Sequence, residues 1–373
     1  MCPLAAVAAR ELLPIELVFN PNWWHRTAGV RFDEAFYLDR QTRIANDVLM
    51  RRVLYERYGE MGLGEPDPQP RPIIGSMHVA GGFLLPALFG AHIVFADDQA
   101  PVAMPLRMGT DQVPALRSPD IAASSPFSDL LADMDALERE FGYVMGDVDT
   151  DGVFNTALCL RGEQLYTDMV DDPALARGLF AVIAETQAQV ASAVRRRTGS
   201  CAIATNRVIS RVDPAMYLHS NCSVQMVSPA MYEELMLPVE LSLADRLRPY
   251  GIHHCGNNME RFAPSYARVQ ATFFDVGWGS DIAACRLALP DAFFSLRLSP
   301  VRMLRCLAQE IAADAEALLR AAGPLGKAGV CCINMDYGTP DDNIFAMFEV
   351  VQRYRRHGGS RVCAAGSHQA PPA

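Results

Sequence analysis

Gly251-Ile252-His253-His254-Cys255-Gly256-Asn257-Asn258 is the stretch on which the reading of this chain turns. It is a short run closed by glycine and two amides, directly preceded by an amphipathic segment over 229–250. A strand over 252–255 alternates its side chains, so His253 and Cys255 share one face and His254 takes the other. A His-x-Cys pair at the end of a strand can hold a soft divalent metal, zinc first among them.

Working outward, the same alternation of short apolar run and amphipathic stretch repeats from Tyr143 onward. Strand candidates fall at 143–146, 201–205, 252–255, 272–276, 293–298 and 330–335, and helix candidates at 172–197, 229–250, 302–322 and 340–357. Strand–helix alternation sustained in this way predicts a parallel sheet, and we read the class as α/β, a (β/α)8 TIM barrel. Its mouth, where strands end and loops begin, is where a site is expected. Ser228-Pro229 and Thr339-Pro340 each join a capping hydroxyl to a proline at the first helical position, and Asp342 completes a capping-box pattern with the shorter acid. Ser128 is a candidate cap for a helix over 128–141, and Gly358-Gly359 is read as the end of the last helix. Residues 1–70, with helical spacing over 32–61, form an expected N-terminal helical extension and lid; 71–360 form the barrel; 361–373 form a disordered tail.

Composition narrows the function. Half of the 373 residues are apolar, and the net charge is −10. That balance argues against nucleic acid or an anionic membrane as the main partner. The N-terminus lacks a basic region ahead of an apolar one, so the expectation is a cytoplasmic protein with reduced thiols. Most of the ten cysteines, Cys159, Cys201, Cys285 and Cys306 among them, are expected as small core residues. Residues 73–96 lack Lys, Arg, Asp and Glu, but Gly81-Gly82, Pro86 and two histidines favour a buried loop and helix over a membrane span.

The polar residues gather at strand ends: Asp147 and Asp149, Asn206 and Arg207, His253 and Cys255, Asp275 then Asp281, Arg297, and Cys332 with Asn334 and Asp336. Singly, an Asp after a strand is a cap or turn former. Together they line one rim. The bland alternative for His253 and Cys255 is a buried imidazole beside an inert thiol. Cys331-Cys332 on the last strand candidate supplies a third ligand, because first and last strands of a closed barrel are neighbours. Only one of two adjacent cysteines can face the site; Cys332, on the face of Asn334, is preferred, and Cys331 is the alternative. In HSNCSVQM (219–226), His219 and Cys222 are candidates for a fourth ligand or proton donor, or simply form a polar turn. Trp23-Trp24-His25-Arg26 is either a lid over the barrel mouth, with Trp24 and His25 touching substrate and Arg26 suited to an anion, or ordinary packing. Asn206, His219 and Asn257 complete the candidate substrate-binding set.

The runs SNCSVQMVSPAMYEELMLPVELSLADRLRPYGIHHCGNNMERFAPSYA (220–267), FFDVGWGSD (273–281) and NMDYGTPDDNIFAMFEVVQRY (334–354) resemble the uroporphyrinogen decarboxylase superfamily. Within it the likeness is closer to the corrinoid-linked methyltransferases, the methylcobamide:coenzyme M methyltransferases and their relatives. The resemblance implies zinc held by His253, Cys255 and a cysteine near the last strand, Cys332 or Cys331. It implies methyl transfer between a corrinoid and a thiol, with Asp281 or Asp147 orienting ligands or taking protons and Arg26 or Arg297 holding an anionic substrate end. No Asp-x-His-x-x-Gly corrinoid signature occurs in the chain, so the corrinoid would arrive on a partner protein. Homodimers are common in the superfamily. The decarboxylase branch carries an Arg-Gln-Ala-Gly-Arg signature; here the corresponding stretch is Arg26-Thr27-Ala28-Gly29-Val30, and the second arginine is lost. A metal-free decarboxylase or lyase, acting on a polycarboxylate through Asp147 or Asp149, is the second enzymatic expectation. A zinc or corrinoid carrier without turnover is the third.

Overall fold

The computed structural model describes residues 12–75, 82–201, 203–204, 207–208 and 216–365. Six strands form one curled parallel sheet: β1 (Ile15–Phe19), β2 (Tyr217–Ser220), β3 (Tyr250–His254), β4 (Phe273–Val276), β5 (Phe293–Arg297) and β6 (Ala328–Met335). Their order is β1-β6-β5-β4-β3-β2, and every neighbouring pair is parallel. Parallel neighbours need long crossovers, which the helices Leu237–Arg246, Ala263–Val269, Ile282–Ala288 and Ala308–Ala321 supply. Ile252, Phe274, Leu296 and Val330 point into the core shared with those helices. The opposite face carries His253 beside Asp275, which is beside Ser295, and Arg297 beside Cys331. Met216, Leu218, Phe273 and Phe293 close that face at its N-terminal end with an apolar cluster.

The six strands make an arc, whereas the sequence reading expects eight in a closed ring. Among the described residues, the one pairing within 143–146 is a parallel bridge from Met145 to Ile73. Ile203–Ala204 runs antiparallel to Arg207–Val208 in a separate two-residue pairing, and Asn206 lies outside the described residues. The expected helical extension also contains a strand, β1, which pairs with β6 and so enters the sheet. Behind it, Asn20 and Asn22 both donate to Asp336 Oδ1, at 2.6 and 3.1 Å, and fix the helix Pro21–Ala28 to the loop after β6.

Other boundaries moved for local reasons. The helix expected over 302–322 is two, Pro300–Arg305 and Ala308–Ala321, and the first is capped by Ser299. The hydroxyl of Thr339 donates to Asp336 O and does not cap. Ser128 lies inside the helix Phe127–Phe141, which begins before it. The last helix, Asp341–Ala365, runs through Gly358-Gly359; glycine weakens a helix by about 1 kcal/mol relative to alanine without forcing it to end. Residues 73–96 hold a five-residue helix, Leu84–Leu88, and one strand of a hairpin. Among the described residues, no helix is long and apolar enough to cross a membrane.

Ser228 caps as expected, its Oγ accepting from Met231 N at 3.1 Å. Ser228→Ala should therefore lower stability by about 1 kcal/mol, read from the urea midpoint at constant m-value.

Candidate metal centre

The strand ends bring three ligand atoms together. One atom each of Cys222, His253 and Cys255 lies within 4.8 Å of the others. His253 comes from the end of β3, Cys255 from the residue just past it, and Cys222 from the turn after β2, where Ser220 is in register with His253. Two close approaches set this turn. A Cβ on Gly152 would lie 1.8 Å from Ser220 O, and one on Gly256 would lie 2.0 Å from Gln225 Oε1, so neither position admits a side chain without displacing its neighbour.

His253 is fully buried, and its Nδ1 bonds Asp275 Oδ2 at 2.7 Å, which leaves Nε2 as the ligand nitrogen. A carboxylate on the far ring nitrogen is the usual support of a metal-binding imidazole, fixing its tautomer and orientation. Burial opposes a charge on His253, yet Asp275 and then Cys255 raise its affinity for a proton. The two thiols are coupled. A hydrogen bond from Cys222, with His253 and Arg297 adding to it, holds Cys255 well below the usual thiol range. The same bond, followed by burial, pushes Cys222 well above it. Two sulfurs and an imidazole thus converge, with the bond between the thiols favouring the proton on Cys222 and the charge on Cys255, and a soft divalent cation suits that donor set.

Around the trio, Arg297 is 3% exposed and donates through Nη1 to Cys255 O at 3.1 Å, while its Nε has no partner among the described residues. Three carboxylates follow one another on Asp147-Val148-Asp149-Thr150-Asp151. Asp147 is buried, bonded to Val148 N and Ser200 Oγ. Burial and then the charge of Asp151 push Asp149 up to about 8. Burial also pushes Asp151 up to about 6, against the hydrogen bond from Asn155 and the charge of His253. Asp151 and Asn334 hold left-handed backbones, with φ of 54° and 62°, a region that Asp and Asn enter more readily than other non-glycine residues.

The structure separates several residues that the sequence groups. Cys332 belongs to the helix-facing core and is absent from the trio. Its neighbour Cys331 is the one in register with Arg297, on the face of His253. His219 is in register with Ile252, stacks on Tyr250 at 6.2 Å, and is pushed down to about 3 by burial. It faces the helices, as does His254, whose Nδ1 meets Tyr266 Oη at 2.9 Å. Asp281 caps Ile282–Ala288, accepting from Ala284 N at 3.0 Å. Trp24 is 1% exposed and packs with Trp23 and Phe19. His25 Nδ1 bonds Val30 O. Arg26 is exposed with its guanidinium over the Tyr337 ring, and Asn257 is exposed in the loop beside Gly279. Asp275 and Asp151, which sequence reasoning gave no specific role, act on the trio alongside Asp149; the i, i+2 spacing of Asp147, Asp149 and Asp151 at a strand end was the available signal.

Residues 81–354 match the uroporphyrinogen decarboxylase (URO-D) family. Among solved structures, a methyltransferase from Methanosarcina mazei superposes with a TM-score of 0.63 at 13% identity, covering 92% of this chain and 94% of that one. A B12-independent methionine synthase from Shewanella sp. W3-18-1 aligns with a TM-score of 0.47 at 9% identity, over 95% of this chain and 99% of that one. No curated protein matches the sequence. With its parallel sheet and nearly three-quarters of its length matched, the chain belongs to the uroporphyrinogen decarboxylase family.

Proposed function

We propose that this chain is a zinc-dependent methyltransferase that moves a methyl group between a corrinoid, carried by a partner protein, and a thiol. The observation that carries the reading is the convergence of Cys222, His253 and Cys255 with Asp275 behind the imidazole. The reading takes the six-stranded arc as the larger part of a (β/α)8 barrel and its mouth as the docking face for the corrinoid protein. Bound zinc would supply a Lewis-acid position that favours the thiolate form of a sulfur substrate. Asp275 holds His253 in the ligand tautomer. Arg297 offsets the negative charge of Cys255 and has Nε available for an anionic substrate end. Asp151, whose charge reaches both His253 and Cys255, is the group to take the thiol proton; Asp147 is already held by Ser200 and Val148 N. Arg26, exposed over Tyr337, is a second anion-holding position at the rim.

A decarboxylase or lyase reading draws on the raised carboxyls of Asp149 and Asp151. Against it stands Val30, 1% exposed, where the decarboxylase signature has its second arginine. Metal analysis of freshly purified protein, with methyl transfer from methylcobalamin to a panel of thiols, separates the readings. Stoichiometric zinc with thiol methylation supports the proposal. Zinc-free but active protein overturns it, and zinc without transfer favours a carrier. Asp275→Asn should weaken zinc binding by about 10–100-fold, the usual effect of losing an outer-shell carboxylate, measured by competition with a chromogenic chelator.

A further inference from the structure

The turn after β2 and the end of β3 bring two thiols together. Ser220 and His253 are partners in the parallel ladder, and Asn221 N carries the ladder one bond further, to His253 O at 2.7 Å. Cys222 and Cys255 each follow two residues after that pair. Strands so paired run about 4.8 Å apart, inside the roughly 4.4–6.8 Å over which a disulfide joins two Cα atoms. The two sulfurs lie within 4.8 Å of each other, and a hydrogen bond links them. Closing the remaining gap to a bond of about 2.05 Å takes side-chain rotation rather than a change of register.

Both residues are also within reach of a small oxidant. Cys222 and Cys255 are partly exposed at the strand ends, whereas Cys331 and Cys332 are buried. Among the described residues, no third sulfur joins the pair and its histidine. Oxidation of either thiol therefore meets one resolving partner. Hydrogen peroxide converts one thiol to a sulfenic acid and is itself reduced to water. The second sulfur then attacks the first, the S–OH bond breaks, and a second water leaves with the attacking thiol's proton. Two thiols and one peroxide thus give one disulfide and two waters. A dithiol reverses the step by thiol–disulfide exchange and becomes the oxidised partner.

We propose that Cys222 and Cys255 form a reversible disulfide in the metal-free protein, which makes the centre redox-sensitive. The inference deepens the metal reading above and rests on its ligand set. A sulfur tied in a disulfide is no longer a thiolate ligand, so the oxidised site retains only His253 of the three and does not hold zinc. Zinc bound first keeps the two sulfurs apart as separate ligands and protects them.

The full chain, stripped of metal by a chelator, is exposed to a small excess of hydrogen peroxide, with and without zinc added beforehand. Alkylation followed by tryptic mapping without reduction reads the result, because cleavage after Arg246 places the two cysteines in different peptides. The joined peptides should appear, zinc uptake should be lost, and dithiothreitol should restore it. Zinc added before the peroxide should suppress the link. Peptides of Cys222 and Cys255 that never appear joined, or a joined protein that still takes up zinc, would overturn the proposal. A fully reduced protein that takes up no zinc refutes the metal reading instead, and the mapped link is scored independently of it. Cys222→Ser should yield no link, and its Cys255 should run on to a sulfinic acid that dithiothreitol does not reverse.

Discussion

Cys222→Ala should be purified without zinc, and Cys332→Ala should carry as much zinc as the unaltered chain. The contrast follows from where the two sulfurs lie. Cys222 converges with His253 and Cys255 inside 4.8 Å, so its loss removes one of three ligands, and the loss in affinity should exceed the roughly 10–100-fold that an outer-shell partner is worth. Cys255→Ala should behave the same way and should also abolish thiol methylation. Cys332 sits in the helix-facing core with Val330 and Leu296; its truncation removes one buried sulfur, and by the scale of small core deletions it should lower stability by about 1 kcal/mol. Cys331→Ala completes the set, because Cys331 faces Arg297 on the side of the centre without joining the trio. Metal analysis alongside a denaturation midpoint for each variant reads the result. Zinc lost from a folded Cys332→Ala protein, or retained by Cys222→Ala, would refute this ligand set.

The difference between Cys331 and Cys332 marks where the sequence stops being informative. Alternation along a strand fixes which residues share a face, and Cys332 does share a face with Asn334 in the sequence reading. It does not fix which face is turned toward the helices. Parallel strands are buried on both sides, so β6 is apolar in both phases from Ala328 to Ile333. The phase comes from pairing with β5, where Cys331 meets Arg297. His253 escaped this ambiguity because Cys255 and Asp275 accompany it on the same side. Cys222 was legible only as one possibility among polar turn residues. Its arrival at Cys255 depends on the register of Ser220 with His253 and on Gly152 touching Ser220 O, neither of which is local in sequence. The strand β1 was missed for a related reason: IELVF is five residues long and lies ahead of a helical pattern, and it becomes a strand by pairing with β6 from more than 300 residues away.

Glu240→Gln should stabilise the protein at pH 8 and leave it nearly unchanged at pH 4. Glu240 is 3% exposed, beneath the turn that carries Cys222. Asn221 Nδ2 donates to its two oxygens at 3.2 and 3.1 Å, Tyr250 Oη donates at 3.4 Å, and Tyr232 Oη donates as well. These bonds favour the carboxylate, yet burial outweighs them and pushes the group from 4.5 up to about 7. The folded state therefore binds a proton more tightly than the unfolded chain. Stability is present in full below pH 4.5 and is lost as pH rises through 7, and integrating the shift gives on the order of 3 kcal/mol. Glutamine keeps an acceptor for Asn221 and removes the ionisation, so this dependence should vanish. Glu240→Leu should do the opposite. It strands the donors of Asn221, Tyr232 and Tyr250, at about 1–3 kcal/mol for each unsatisfied group. Asn221 also donates its backbone N–H to His253 O at 2.7 Å, so loosening it moves the turn at Cys222 relative to His253, and zinc affinity should fall with stability. Urea midpoints at pH 4, 6 and 8 for the three proteins measure the first effect, and chelator competition measures the second. A difference between the unaltered chain and Glu240→Gln that stays constant across those pH values would mean that the buried carboxyl does not titrate in that range.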